Sequence, residues 1–165
     1  MSAYDANAWS DFGVALVGAA AALVGLLFVA VSINLERIVS YPNLPARAGA
    51  ALIQFSFPLL LGIWLLIPQQ TTAVLGAELI ATGLVTGAIL LLLSRRAFRA
   101  AQETRTSWLI SRALPSVAVP VLAVLAGTTV IAEVGGGLYW LPAAVVIAIL
   151  AGLSSAWVLL VEIWR

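Results

Sequence analysis

Residues 12–35 read FGVALVGAAAALVGLLFVAVSINL, a run whose only polar side chains are Ser32 and Asn34 near its end. A helix that crosses a membrane needs about 20 apolar residues, because each residue rises about 1.5 Å and the hydrocarbon layer is about 30 Å thick. Four further stretches of this kind follow along the chain. The predicted spans are 12–35, 48–67, 73–93, 113–134 and 139–164. None shows the strict alternation of a membrane β-barrel, so the sequence predicts an all-α bundle of five transmembrane helices in one domain over residues 1–165.

The composition excludes most other classes of protein. Hydrophobic residues make up 63% of the chain and charged residues 9%, whereas about 25% of a soluble domain is charged. The chain has no Cys, no His and no Lys, which removes disulfides, histidine-based catalysis and metal sites, and Schiff-base chemistry. No phosphate-binding or dinucleotide-binding glycine motif is present. We therefore expect no enzymatic activity, no cofactor, no metal and no nucleic-acid partner.

The arginines predict the orientation of the bundle. All eight lie in the first connection, around the third connection or at the last residue, which five spans place on one side of the membrane. The four acidic residues at or near the other side are Asp5, Asp11, Glu78 and Glu133. Because cytoplasmic loops are rich in Arg and Lys, the sequence predicts an N-terminus outside and a C-terminus inside.

Small residues recur at helical spacing on two of the predicted spans. The first span has Gly18 and Gly25 on one face, and the third has Gly83 and Gly87 in a GxxxG element. Small side chains let two helix backbones approach closely. Five helices need contacts with one another first, so packing within one chain is the favoured interpretation for these helix-packing glycines. A seam between two protomers is the alternative.

Polar residues inside the spans form a candidate ion or polar site. Glu78 is the one carboxylate clearly within a span, and Thr82 and Thr86 continue its face at four-residue steps. Glu78 lies about 8 Å from the helix start at 1.5 Å per residue, so a structural acid near the membrane boundary is slightly favoured over an ion-handling or proton-handling residue. Gln54 in the second span is interpreted as an interhelical hydrogen-bonding residue.

Basic residues crowd the predicted cytoplasmic side. Arg37 follows the first span, and Arg95, Arg96 and Arg99 follow the third, which is expected to continue as a helix beyond the membrane. Basic side chains at this position interact with anionic lipid headgroups at about 1 kcal/mol each. These four residues are therefore predicted to contact headgroups or a partner protein.

The segment from Gly18 to Asn34, which ends in Ser-Ile-Asn, precedes Leu44-Pro45-Ala46-Arg47-Ala48. Together they resemble a group of short bacterial membrane proteins common in actinobacteria. The resemblance covers about the first fifty residues, and some members are labelled as modulators of the membrane protease FtsH. It implies a multi-pass protein of the bacterial plasma membrane and brings no catalytic residues with it.

Three functions remain open at this stage. The favoured one is a non-enzymatic accessory or regulatory membrane protein that acts through helix–helix contacts, with a second copy or another membrane protein as partner and lipids as surroundings. The alternative is a small homo-oligomeric cation channel or transporter that uses Glu78 and the acidic outer face. A lipid-handling enzyme that uses only Asp and Glu is the third.

Overall fold

A computed structural model of the chain describes residues 3–41, 44–100 and 114–163. Every regular element in this part of the chain is helical, and a single 3-10 turn precedes each of the first and last long helices. The helices are α1 Ser10–Ile33, α2 Leu35–Ser40, α3 Leu44–Leu65, α4 Thr72–Ala100, α5 Leu114–Ala132 and α6 Trp140–Ile163. All but α2 are long and apolar enough to cross a membrane, which confirms the predicted all-α architecture with five spans.

Local residue choices explain where several helices begin and end. Pro45 and Pro115 occupy the first turns of α3 and α5, where the absent proline N–H costs no hydrogen bond. The Asn34 side chain donates to the Ala30 carbonyl at 2.9 Å. This hydrogen bond caps the C-terminus of α1 before the short helix α2 begins. The third span continues as a helix to Ala100, well past the apolar stretch that ends at residue 93.

Four of the long helices form a ring, and the fifth lies outside it. Neighbouring pairs α3–α4, α4–α5, α5–α6 and α6–α3 all pack together, and the α4–α5 pair is the most extensive. Helix α1 makes its extensive contacts with α3 alone. The interior of the ring is filled mainly by Leu, Val, Ala and Phe side chains, among them Phe57, Leu61, Leu79, Val119 and Leu141.

The two ends of the bundle carry opposite charge among the described residues. One end holds the N-terminus and the α3–α4 and α5–α6 connections, and its acids are Asp5, Asp11, Glu78 and Glu133. We call it the acidic end. The other, the basic end, holds the α1–α3 connection and the end of α4, and its arginines are Arg37, Arg47, Arg95, Arg96 and Arg99. Arg105, Arg112 and Arg165 lie outside the described residues.

Candidate functional site

Glu78 is fastened to the connection between α3 and α4. It lies in the second turn of α4 near the acidic end and is half-buried. Gln70 in the connection donates a hydrogen bond from Nε2 to Glu78 Oε2. This hydrogen bond ties the Glu78 carboxylate to the α3–α4 connection.

Thr82, one turn further along α4, is also engaged in holding helices together. Its side chain is 8% exposed, and its Oγ1 accepts a hydrogen bond from Trp64 Nε1 at 2.9 Å. Trp64 belongs to the last turn of α3. The bond therefore joins α3 to α4 and satisfies an indole N–H that would otherwise be costly within a membrane.

Thr86 and Gln54 lie deeper in the bundle, and both are buried. Gln54 precedes Trp64 by ten residues on α3, which places it about 15 Å from the Trp64–Thr82 level along the helix axis at 1.5 Å per residue. Glu78 and Thr86 are similarly about 12 Å apart along α4. The structure thus spreads the four predicted polar residues over more than half the thickness of the bundle and does not gather them into one site.

Gln54 has an unusual environment for an amide. It is 3% exposed, and its Oε1 atom is buried without a hydrogen-bond partner among the described residues. The expected interhelical hydrogen bond is therefore not made through this oxygen. A buried acceptor without a partner costs about 1–3 kcal/mol, so we expect Gln54 to lower the stability of the ring.

The glycines of α4 lie against α5. A Cβ placed on Gly83 would lie 2.9 Å from the Ala123 Cβ and 3.0 Å from the Pro120 carbonyl oxygen, and one on Gly87 would lie 2.9 Å from the Pro120 Cβ. Both glycines of the GxxxG element thus face another helix of the same chain. Further along, Gly76 and Gly127 bring the α4 and α5 backbones together.

The glycines of α1 are placed differently. A Cβ on Gly18 or Gly25 would meet no atom of the described residues within 4 Å, so, contrary to the favoured expectation, these two glycines do not pack against any described helix of their own chain. The buried residues of α1 are Gly13, Leu16, Ala20 and Leu27, which face α3. At 3.6 residues per turn, Gly18 and Gly25 fall on the opposite side of the helix, together with the exposed Ala22, Val29 and Ser32.

The basic residues are positioned at one end. Arg37 is exposed on α2, and Arg95, Arg96 and Arg99 fall in the last turns of α4. Their predicted contact with headgroups or a partner stays a prediction. Within the described ranges no group of three or more His, Cys, Asp or Glu side chains is close enough together to hold a metal ion.

The N-terminal segment docks on the α5–α6 connection, a contact that the sequence did not reveal. The Leu138 N–H donates to the Ala3 carbonyl at 2.8 Å, and the Tyr4 hydroxyl donates to the Gly135 carbonyl at 3.1 Å. Gly137 adopts φ +55°, and a side chain there would collide with the Ala3 carbonyl. Both acceptors are backbone carbonyls, and the glycines of the connection indicate only a tight turn.

An apolar cleft of about 240 Å³ opens between α1 and α6 in the half of the bundle nearer the basic end. Its walls include Leu23 and Leu27 of α1 and Leu153 and Ala156 of α6, and Phe55 of α3 lies between them. Asn34 lines the end of the cleft nearest to α2. The cleft exists because α1 and α6 both pack on α3 but have little contact with each other.

No protein-family model, curated protein or solved structure matches this chain. Function is therefore inferred from the residues and their packing.

Proposed function

We propose that this chain is a non-enzymatic integral membrane protein of the bacterial plasma membrane, an accessory or regulatory subunit that acts through helix–helix contacts. Its N-terminus would lie outside the cell and its basic end in the cytoplasm, in keeping with the positive-inside rule. Its partner would be a transmembrane helix, from either a second copy or another membrane protein.

The unpartnered face of α1 carries this proposal. Gly18, Ala22 and Gly25 follow one another at three- and four-residue steps, and a Cβ on either glycine would meet nothing. Of the five spans, α1 is also the least buried, since only 17% of its most apolar 18-residue stretch is buried. Membrane helices associate mainly where small residues let backbones approach, so this face suits close contact with another helix.

The contacts of Glu78 and Thr82 support the accessory role over ion transport. Glu78 accepts from Gln70, and Thr82 accepts from Trp64, so both polar groups that would line an ion path at the acidic end are used to hold α3, α4 and their connection together. The apolar cleft described above is lined by residues of α1, α2, α3 and α6, and neither Glu78 nor Thr82 is among them.

Cross-linking in native membranes tests the proposal. The chain has no Cys, so single cysteines can be introduced without background, one at Ala22 on the proposed contact face and one at Val121 on an exposed face of α5. We expect the Ala22 variant to form an adduct with a bifunctional maleimide and the Val121 variant to remain uncoupled. The mass of the adduct distinguishes a second copy from another protein.

A bulky residue on the same face provides the control for close packing. Gly25→Leu should abolish the Ala22 adduct while leaving the fold intact, because no described residue lies within 4 Å of a Cβ placed on Gly25. Equal coupling at Ala22 and Val121, or no coupling at either, would contradict the proposed helix–helix function.

A further inference from the structure

We infer that the cleft between α1 and α6 binds one acyl chain of an anionic phospholipid from the leaflet at the basic end. The inference is independent of the proposed function, because the cleft and the glycine face of α1 lie on different sides of that helix. Leu23, Leu27 and Ala30 line the cleft, whereas Gly18 and Gly25 face away from the chain.

The length of the cleft matches one leaflet. Along the chain it runs from Leu23 to Asn34, eleven residue steps that span about 16 Å at 1.5 Å per step. Half of the hydrocarbon layer is about 15 Å thick. The cleft thus extends from the middle of the membrane to the headgroup level, which is the path of an acyl chain within a single leaflet.

The volume and lining of the cleft select the kind of occupant. Its 240 Å³ is below the range of about 300–1,000 Å³ of pockets for bulkier ligands, and a helix about 10 Å across does not fit into it. The walls carry Leu, Val, Ala, Ile and Phe side chains apart from Asn34. A narrow apolar cleft that opens sideways into lipid is suited to a single hydrocarbon chain, since leaving it empty would forfeit van der Waals contacts.

Charge at the end of the cleft nearest to α2 favours an anionic headgroup. Asn34 and Ile38 line that end, and the exposed Arg37 lies between them in sequence on the same short connection. Arg37 is the one basic residue of α1 and α2, the two helices to which Asn34 and Ile38 adjoin or belong. An anionic headgroup that contacts this one basic side chain is favoured by about 1 kcal/mol.

Lipid retention tests the cleft directly. The protein is reconstituted in vesicles of equal parts palmitoyl-oleoyl phosphatidylglycerol and phosphatidylethanolamine, extracted into mild detergent and examined by native mass spectrometry. The wild type should retain one phosphatidylglycerol. Ala156→Phe, which fills the cleft from α6, should lose it, whereas Ala143→Phe, the same change at an exposed position on the same helix, should keep it.

A second wall and the headgroup provide independent checks. Ala30→Leu fills the cleft from α1 and should also lose the lipid, which covers the case in which Ala156→Phe fails to fold. Arg37→Gln should lower the preference for phosphatidylglycerol about fivefold, the equivalent of about 1 kcal/mol, and Arg96→Gln on α4, away from the cleft, should not. Retention by both filled variants, or equal effects of the two arginine changes, would overturn the inference.

Discussion

The closest backbone approach between α4 and α5 gives a quantitative prediction. A Cβ on Gly127 would lie 2.5 Å from the Gly76 carbonyl oxygen, 2.7 Å from the Ile80 Cγ1 and 3.1 Å from the Ile80 nitrogen. Two of these three atoms belong to the backbone of α4, so a rotamer change cannot relieve the clash. Ordinary van der Waals contact begins at about 3.4 Å. In Gly127→Ala the two helices must therefore separate by about 0.9 Å at this level.

Such a separation disturbs the largest interface of the bundle. Inserting a methyl group into a packed core typically costs about 1–3 kcal/mol, and we expect the upper part of this range because rigid backbone has to move. Gly25→Ala is the matched control, since a Cβ there meets nothing and alanine is the better helix former. It should leave the free energy of unfolding unchanged or slightly higher.

Both variants can be measured by equilibrium unfolding in mixed micelles, with SDS as the denaturant and helix content as the signal. The free energy of unfolding of Gly25→Ala should equal or slightly exceed that of the wild type. That of Gly127→Ala should be lower than the wild type by about 2–3 kcal/mol. If Gly127→Ala proves as stable as Gly25→Ala, the close approach of α4 and α5 is wrong.

Four further predictions concern other parts of the molecule. Gly87→Leu should destabilise the fold in the same assay by about 1–3 kcal/mol, because its side chain must displace the Pro120 ring; an unchanged free energy of unfolding would contradict this packing. Gln54→Met should raise the free energy of unfolding by about 1 kcal/mol, because it removes the buried acceptor without a partner, and a decrease would show that the amide is satisfied. Glu78→Gln should leave ion flux in liposomes unchanged and lower stability only slightly, because Gln70 can still donate to the new amide oxygen; a clear change of flux would favour the channel alternative. A membrane-impermeant maleimide on intact cells should label a single cysteine at Asn7 but not one at Ser40, and labelling of both would refute the proposed topology.

The spans were predictable from sequence because length and hydropathy act locally. Each predicted stretch overlaps one long helix, with bounds that differ by one to four residues apart from the end of the third, and the continuation of the third span was also expected from the helix-forming residues after Leu93. The four-residue spacing of Gly83 and Gly87 predicted that both would face a neighbouring helix, and both face α5. What the sequence could not supply was the identity of each helix's neighbour, because a GxxxG pattern indicates close packing without naming the partner.

Contacts between distant parts of the chain escaped prediction for related reasons. The bond from the Leu138 N–H to the Ala3 carbonyl joins two backbone groups far apart in sequence, and backbone groups have no residue-specific signature. Glu78, Thr82 and Thr86 were grouped as a candidate site because they share a helical period, and Gln54 of another span was added to them as an interhelical hydrogen-bonding residue. The structure separates them along the bundle axis and gives Glu78 and Thr82 local partners.

Hydropathy and burial run in opposite directions in this bundle. As mean hydropathy falls from α1 to α6, then to α5 and α4, which are equal, and finally to α3, the buried share of the span rises from 17% to 50%. In a bilayer the lipid is as apolar as a leucine side chain, so polar residues mark the interior and the most apolar helix is free to lie outside. A glycine that faces lipid on such a helix is unfavourable, because glycine destabilises a helix interior by about 1 kcal/mol relative to alanine. Close contact with another helix can offset this loss. No described part of their own chain makes such a contact with Gly18 or Gly25, so a helix from another chain would explain why glycine occupies both positions.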